Sequence, residues 1–306
     1  PHTFRLVQDL RAPNEATITD AHPLPRIEEI LIRQGHKKYW TTLDLKDGFH
    51  QMPLKVEHRP ITCMGTPLGT MQWKVLVMGL KNAPAQFQRM IEWVLAPIPD
   101  TDPYIDDIIS GSGGDSDHEC LLNNYELVRK VLKRLGEQSL VVSPAKSAFF
   151  QKEVQFCGHI LREGTRRPAP GKLLPIQNWG LPATVSALRG FLGLTNYFSC
   201  YVPHYAETAA PIMAKLCVSR EDGKKGSKVK LVWTEAEKAA FVDLKKKLCE
   251  GLMLWQLKLD QPFQLSCDAS DTAFGAELRQ EFGGVWRPVA FYYLKFTKCQ
   301  LNWAVK

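Results

Sequence analysis

Tyr104-Ile105-Asp106-Asp107-Ile108-Ile109 places two adjacent acids between two short apolar arms. The pattern predicts a β-hairpin with the acids at its tip. Neighbouring carboxylates repel and lose solvation when a fold closes around them, so something must offset that cost. Bulk water does so at an exposed turn, where Asp is favoured, and for an isolated Asp-Asp this is the commoner case. The other solution is a divalent cation, which takes hard oxygen ligands.

A third acid bears on that choice. Tyr39–Leu45 alternates, with Tyr39, Thr41, Leu43 and Leu45 on one face of a strand and Trp40, Thr42 and Asp44 on the other. With Leu43 and Leu45 toward a core, Asp44 faces the opposite surface of the sheet. An acid there, beside an Asp-Asp hairpin, suits a two-metal site. Ions about 3.5–4 Å apart activate an attacking oxygen and stabilise a leaving phosphate oxygen. Spacing alone leaves open whether Asp44 meets Asp106.

Further elements surround these acids. Asn82-Ala83-Pro84 predicts a helix start with Asn82 as cap, and an apolar face of Phe87, Met90, Ile91, Val94 and Leu95 follows. A second helix is predicted from Asp117 to Leu135, with a stripe of Leu121, Tyr125, Val128, Val131, Leu132 and Leu135. Gln155–Leu161 reads as a strand, Glu163–Pro170 as a loose stretch and Ser219–Lys230 as a charged linker. Val185, Leu188, Phe191 and Leu192 recur at helical spacing. Strands are expected at Phe263–Cys267, Phe274–Leu278 and Pro288–Tyr293.

The whole chain has 306 residues, room for roughly two domains at about 100–200 residues each. A hydrophobic share of 44% excludes wholesale disorder. Lys and Arg outnumber Asp and Glu by 39 to 32, a formal +7, which suits a polyanion partner without proving one. The 8 Cys form no CxxC pair, so a zinc ribbon is not expected. They read as buried free thiols in a reducing compartment, intracellular in the cytoplasm or nucleus rather than secreted. No apolar run reaches about 18 residues, so no transmembrane helix and no membrane partner are expected. Pro1-His2-Thr3 and Trp303-Ala304-Val305-Lys306 read as mid-sequence ends, and we expect a chain cut at both.

Several ordered blocks carry a family resemblance. Leu43-Asp44-Leu45-Lys46-Asp47-Gly48-Phe49-His50-Gln51, then Gly79-Leu80-Lys81-Asn82-Ala83-Pro84-Ala85-Gln86-Phe87-Gln88, then Tyr104-Ile105-Asp106-Asp107, then Phe156-Cys157-Gly158-His159 resemble a reverse transcriptase. They are most similar to the pol polyprotein of gypsy-type LTR retrotransposons. Arg5-Leu6-Val7-Gln8-Asp9-Leu10-Arg11 resembles the fingers motif, and Phe191-Leu192-Gly193-Leu194-Thr195-Asn196-Tyr197 the segment after the thumb.

The resemblance implies an α+β fold, a right-hand polymerase with fingers, palm and thumb, followed by a partial RNase H-like α/β domain. Fingers and palm would span 1–162 with the upstream fingers missing, a mainly helical thumb and connection 163–254, and the truncated RNase H-like part 255–306. The implied function is RNA-directed DNA polymerase: nucleotidyl transfer from a dNTP to a primer 3′-OH on an RNA or DNA template. Asp44, Asp106 and Asp107 would be catalytic and hold two Mg²⁺, with Mn²⁺ as a substitute and the Leu45 carbonyl as an extra oxygen ligand. The nucleotide site would comprise Arg5, Lys46, Asp47, Phe49 and Met78. Arg5 suits phosphate through its bidentate fork. Backbone N–H groups near Lys46 and Asp47 would face the phosphates. Phe49 would be the gate that clashes with a 2′-OH. Phe156, Cys157, Gly158 and His159 match the primer grip.

Phe263-Gln264-Leu265-Ser266-Cys267-Asp268-Ala269-Ser270 resembles the first strand of RNase H, with Asp268 as its first metal ligand. Gln300-Leu301-Asn302-Trp303 resembles the approach to the next ligand, a Glu. One carboxylate cannot hold two divalent ions, so no RNase H activity is expected. The implied partners are an RNA/DNA template–primer duplex, a dNTP and the rest of the polyprotein: protease, remaining RNase H and integrase. Two features depart from the family. Pro103 stands where a paired strand is expected, and Val77-Met78-Gly79 lacks the usual proline and aromatic. Pro103 and the missing upstream fingers keep open a degenerate or non-catalytic polymerase-like nucleic-acid-binding fragment, and Met78 bears on contacts near the base. An RNA-templated RNA polymerase is opposed by Phe49 and the RNase H-like segment.

Overall fold

The computed structural model describes residues 6–221, 229–250, 252–270, 273–297 and 299–300. The chain divides into two compact units, Pro1–Cys157 and Gly158–Lys306.

The first unit runs α1 (Arg11–Ala16), α2 (Ile27–Gln34), β1 (Tyr39–Asp44), β2 (Met64–Thr66), β3 (Gly69–Met71), α3 (Ala83–Leu95), β4 (Thr101–Tyr104), β5 (Asp107–Ser112), α4 (Asp117–Glu137), β6 (Ala148–Gln151) and β7 (Glu153–Phe156). Its main sheet has the order β4-β5-β1-β6 and is antiparallel. Leu43, Leu45 and Ile108 of the sheet pack with Phe87, Ile91, Val94 and Leu95 of α3 and Val131 and Leu135 of α4. This buries one face of the sheet under two amphipathic helices.

On the other face, the Trp40 end is covered. Trp40 is fully buried and donates its indole N–H to Gln34 O at the end of α2. A Cβ on Gly111, opposite Trp40, would lie 2.2 Å from Gln34 Oε1, so only glycine allows that approach. Pro103 sits in β4, an edge strand, where its missing N–H costs no ladder bond to an outer neighbour.

The expected stripe of α4 is half wrong. Leu121, Tyr125 and Leu132 are exposed, and the buried positions are Cys120, Asn124, Val128, Val131 and Leu135. Hydrogen bonds hold Asn124 inside: its Nδ2 donates to Tyr39 O and Ser110 O, and its Oδ1 accepts from Thr41 Oγ1. Asn82 occupies the N-cap of α3 but makes no cap bond; it accepts from Asp20 N and donates to Ile18 O.

The second unit contains β8 (His159–Arg162), β9 (Thr165–Pro168), α5 (Pro170–Gln177), α6 (Val185–Tyr197), α7 (Tyr205–Glu221), α8 (Glu235–Cys249), β10 (Leu254–Trp255), β11 (Phe263–Ala269), β12 (Ala273–Phe282) and β13 (Val285–Lys295). Its helices share a core of Leu188, Phe191, Tyr205, Ile212, Phe241 and Leu244. A capping box starts α8, with Thr234 and Glu237 reciprocally bonded. Strands β11-β12-β13 form a separate antiparallel sheet.

Two segment readings change. The loose stretch Glu163–Pro170 contains β9. The strand expected over Gln155–Leu161 is broken at Cys157 and Gly158, whose φ angles are 45° and 82°. No disulfide is formed by the described cysteines, but Cys63, Cys267 and Cys299 are exposed rather than buried. The centre of the predicted linker, 222–228, lies outside the described residues. No helix among the described residues is long and apolar enough to cross a membrane.

Candidate active site

The acids of Tyr104–Asp107 do form a hairpin, but only one is in its loop. Tyr104 pairs with Asp107, leaving Ile105-Asp106 as a two-residue turn, and Asp107 begins β5. Ile105 is left-handed, with φ 55°. A positive φ at the first loop position suits the twist of a tight hairpin, yet it is strained for a β-branched residue.

Asp44, at the end of β1, is the cross-strand partner of Asp107. Just beyond, Leu45 N donates to Asp106 O at 3.1 Å. Gly48 packs so closely that a Cβ there would lie 2.9 Å from Asp106 Cβ. These contacts bring Asp44, Asp106 and Asp107 to the same end of the sheet, although Asp44 lies more than 60 residues before the other two in the chain. Asp44 and Asp107 share the face that carries Trp40, at the end away from α2.

Their side chains do not converge on one point: among the described residues no group of three His, Cys, Asp or Glu could hold a metal ion. Asp44 Oδ1 is buried without a hydrogen-bond partner, and Lys146 Nζ stands 3.4 Å from it. A buried, orphaned carboxylate oxygen beside two more acids is a donor set that fits a hard divalent cation.

Gln88, to which the sequence alone assigns no role, anchors the turn from α3. It is fully buried. Its Oε1 accepts from Ile105 N at 2.7 Å and its Nε2 donates to Pro103 O at 3.1 Å. Its position next to Phe87 in a buried helix face is the one available signal, since a buried Gln needs partners.

The other expected residues fall as follows. The Leu45 side chain is buried and its carbonyl accepts from Gly48 N. The Lys46 amide donates to Val141 O, so its exposed side chain alone is available to a ligand. Asp47 is exposed and left-handed, φ 53°, just before a short 3-10 turn at Gly48–Gln51. Phe49 is half-buried and meets Phe87 edge-on, ring centroids 5.3 Å apart. Met78 is half-buried. Arg5 lies outside the described residues.

Phe156 is buried. Burial, and then the charges of Asp107 and Asp106, push the Cys157 thiol up to about 12. Cys157 closes the first unit and Gly158 opens the second. His159 is buried against Tyr197, Phe198 and Tyr201, with Nδ1 at 2.8 Å from the Tyr201 hydroxyl. Burial, and then the Arg166 charge, hold its pKa down to about 4. Asp268 is exposed in β11 opposite Gly275, at a cavity of about 140 Å³ also lined by His204, Glu207 and Glu277. Of the block at Gln300–Trp303, only Gln300 is described.

The chain is similar to known proteins. A family model described as reverse transcriptase (RNA-dependent DNA polymerase) matches residues 1–161. One described as an RNase H-like domain found in reverse transcriptase matches 233–306. The chain is 35% identical over 305 residues to the retrovirus-related Pol polyprotein from transposon opus of Drosophila melanogaster, across 98% of this chain and 30% of that protein. It is 33% identical over 308 residues to the corresponding polyprotein from transposon gypsy of the same fly, across 98% of this chain and 28% of that one. The chain thus spans under a third of these curated relatives.

Among solved structures, the foamy viral protease-reverse transcriptase in complex with RNA/DNA hybrid matches with a TM-score of 0.79 and 26% identity, over 97% of this chain and 39% of that one. The dRH form in complex with double-stranded DNA matches with a TM-score of 0.80 and 26% identity, over 97% of this chain and 50% of that one. The α+β fold is therefore that of these polymerase structures.

Proposed function

We propose, from the premise that this chain belongs to the reverse transcriptase family of gypsy-type LTR retrotransposon Pol polyproteins with their RNase H-like domain, that it is an RNA-directed DNA polymerase working by two-metal nucleotidyl transfer. The observation that carries this reading is the pairing of Asp44 with Asp107 beside the Asp106 turn. Family members use divalent metal ions. Here Asp44, Asp106 and Asp107 would hold two Mg²⁺, or Mn²⁺ in their place, with the Leu45 carbonyl adding an oxygen. Bound ions supply activation of the primer 3′-hydroxyl and neutralise charge on the triphosphate.

The protein's own groups do the positioning. Lys46 extends a cation toward the triphosphate, beside Asp47 and Met78, and Arg5 matches the family's phosphate-binding arginine. Phe49, braced by Phe87, excludes a 2′-OH. Phe156–His159 seat the primer end. The ligands would be a dNTP and a template–primer duplex, in keeping with the hybrid and duplex carried by the foamy viral relatives. Protease, further RNase H sequence and integrase would accompany the chain in its polyprotein. Asp268 would be the first acid of the RNase H-like domain.

A second reading, a polymerase-like fold that binds nucleic acid without catalysis, draws on Lys146. Its ammonium stands 3.4 Å from Asp44 Oδ1 and already supplies positive charge there. Primer extension on poly(rA)/oligo(dT) with Mg²⁺, beside an Asp106→Asn, Asp107→Asn control, decides between them. Extension above the control supports the polymerase. Duplex binding without extension supports the binder.

A further inference from the structure

The turn that carries Asp106 presents a donor and an acceptor to α3. Ile105 offers its N–H. Pro103 has none and offers only its carbonyl. The Gln88 amide bridges the two, with Oε1 on Ile105 N at 2.7 Å and Nε2 on Pro103 O at 3.1 Å. Only one amide orientation does this. Flipped by half a turn, the NH₂ would meet an N–H and the oxygen would meet a carbonyl, two repulsions in a fully buried site.

Glu92, one helical turn further along α3, selects that orientation. Its Oε1 accepts the other Nε2 hydrogen of Gln88 at 2.8 Å. A carboxylate can only accept, so Gln88 must turn its NH₂ toward Glu92 and its oxygen toward Ile105. Glu92 is itself held: its Oε2 accepts from His22 Nε2 at 3.1 Å. His22 belongs to a segment tied along α3. Asp20 accepts from His22 N, Gln86 Nε2 and Arg89, and its own N–H donates to Asn82 Oδ1.

We propose that Glu92, steadied by His22, is a positioning residue of the polymerase centre. It acts through Gln88 to hold the Ile105 peptide in its left-handed state, and so sets where Asp106 stands. Ile105 is β-branched and would leave φ 55° without that restraint. The inference rests on the polymerase reading for its consequence in catalysis, while the restraint on the turn is a property of the fold.

The test compares wild type with Glu92→Leu, Glu92→Gln, His22→Ala, Gln88→Leu and the Gln88→Leu, Glu92→Leu double variant. Glu126→Gln, an exposed change on α4, is the control expected to behave as wild type. Extension of poly(rA)/oligo(dT) is read as kcat, KM for dTTP and the half-saturating Mg²⁺ concentration, with a thermal melt to count folded protein. A displaced carboxylate should lower kcat of Glu92→Leu by about tenfold or more and raise the Mg²⁺ requirement, with KM for dTTP held within about threefold. Glu92→Gln and His22→Ala should lose less. The double variant should lose no more than Gln88→Leu alone, because both changes break one path.

Wild-type kcat in folded Glu92→Leu, or additive losses in the double variant, would overturn the proposal. Amide hydrogen exchange of the 101–108 peptide keeps the two claims apart. If wild type shows no extension, the polymerase reading fails by itself. Faster exchange at Ile105 in Glu92→Leu still supports the restraint, and unchanged exchange sinks it.

Discussion

Asp44 and Asp107 stand directly opposite one another at the ends of β1 and β5, two like charges in one cross-strand pair. Such a pair opposes folding, and a sheet designed for stability alone would not contain it. Its position next to the Asp106 turn makes it the centre of the proposed activity.

Asp107→Asn separates the two roles. It should abolish primer extension while relieving ~0.2–1 kcal/mol of cross-strand repulsion. Extension assays and a denaturant melt on the same preparation check this. A clear loss of stability would mean that the Asp107 carboxylate is structural.

Gly48→Ala places a Cβ 2.9 Å from Asp106 Cβ. The turn or the 3-10 segment must move, at a cost of ~1–3 kcal/mol. Extension should fall further than the lost stability accounts for, because the displaced residue is Asp106. A melting curve read beside single-turnover rates distinguishes the two.

Asn124→Leu tests the polar tie between α4 and the sheet. It removes the donors to Tyr39 O and Ser110 O and the acceptor of Thr41 Oγ1. Each buried group left unsatisfied costs ~1–3 kcal/mol. Urea unfolding should show a loss of that order per group, whereas Tyr125→Leu, at an exposed position of the same helix, should cost little.

Phe49→Val should raise ribonucleotide incorporation, since the ring braced on Phe87 is lost. Competition between dTTP and UTP on poly(rA)/oligo(dT) measures it. Unchanged sugar discrimination would remove Phe49 from that role.

His159 gives the second unit a pH dependence of known sign. Its folded pKa is about 4 against an ordinary 6.5. Between these values the unfolded chain binds a proton that the folded chain refuses. The stabilisation is complete above pH 6.5 and is lost as pH falls toward 4, on the order of 3 kcal/mol in all. Wild type minus His159→Phe, melted at about pH 7.5 and about pH 5, on either side of the ordinary histidine value, should show about 2 kcal/mol of that difference, the rest appearing only below pH 5. Parallel pH curves would contradict it.

Much of the candidate site is legible along the chain. The alternation of Leu43, Asp44 and Leu45 predicts an acid on the face opposite the core, and Leu43 and Leu45 are indeed buried while Asp44 lies across the sheet. Pattern misleads where tertiary partners outweigh hydropathy. Asn124 reads as a surface residue, yet its hydrogen bonds to Tyr39, Ser110 and Thr41 let it enter the core, and the α4 stripe rotates with it. Alternation puts Trp40 on the open face with Asp44, and it is fully buried because α2 reaches that end of the sheet. The break at Cys157 and Gly158 is signalled only by the glycine.

By itself, the sequence determined the chemistry on offer: three carboxylates, a turn flanked by apolar arms, and the periodicities that make strands and helices of the segments around them. These follow from side-chain type and from repeats of about 2 and 3.6 residues, which are local properties. The tertiary structure alone decided that Asp44 faces Asp107, that Gly48 presses on Asp106, and that Gln88, Glu92 and His22 converge behind Ile105. Such meetings depend on strand register and on how helices seat on a sheet. Those are settled by burying apolar area and pairing polar groups across the whole unit, and no single segment contains that information.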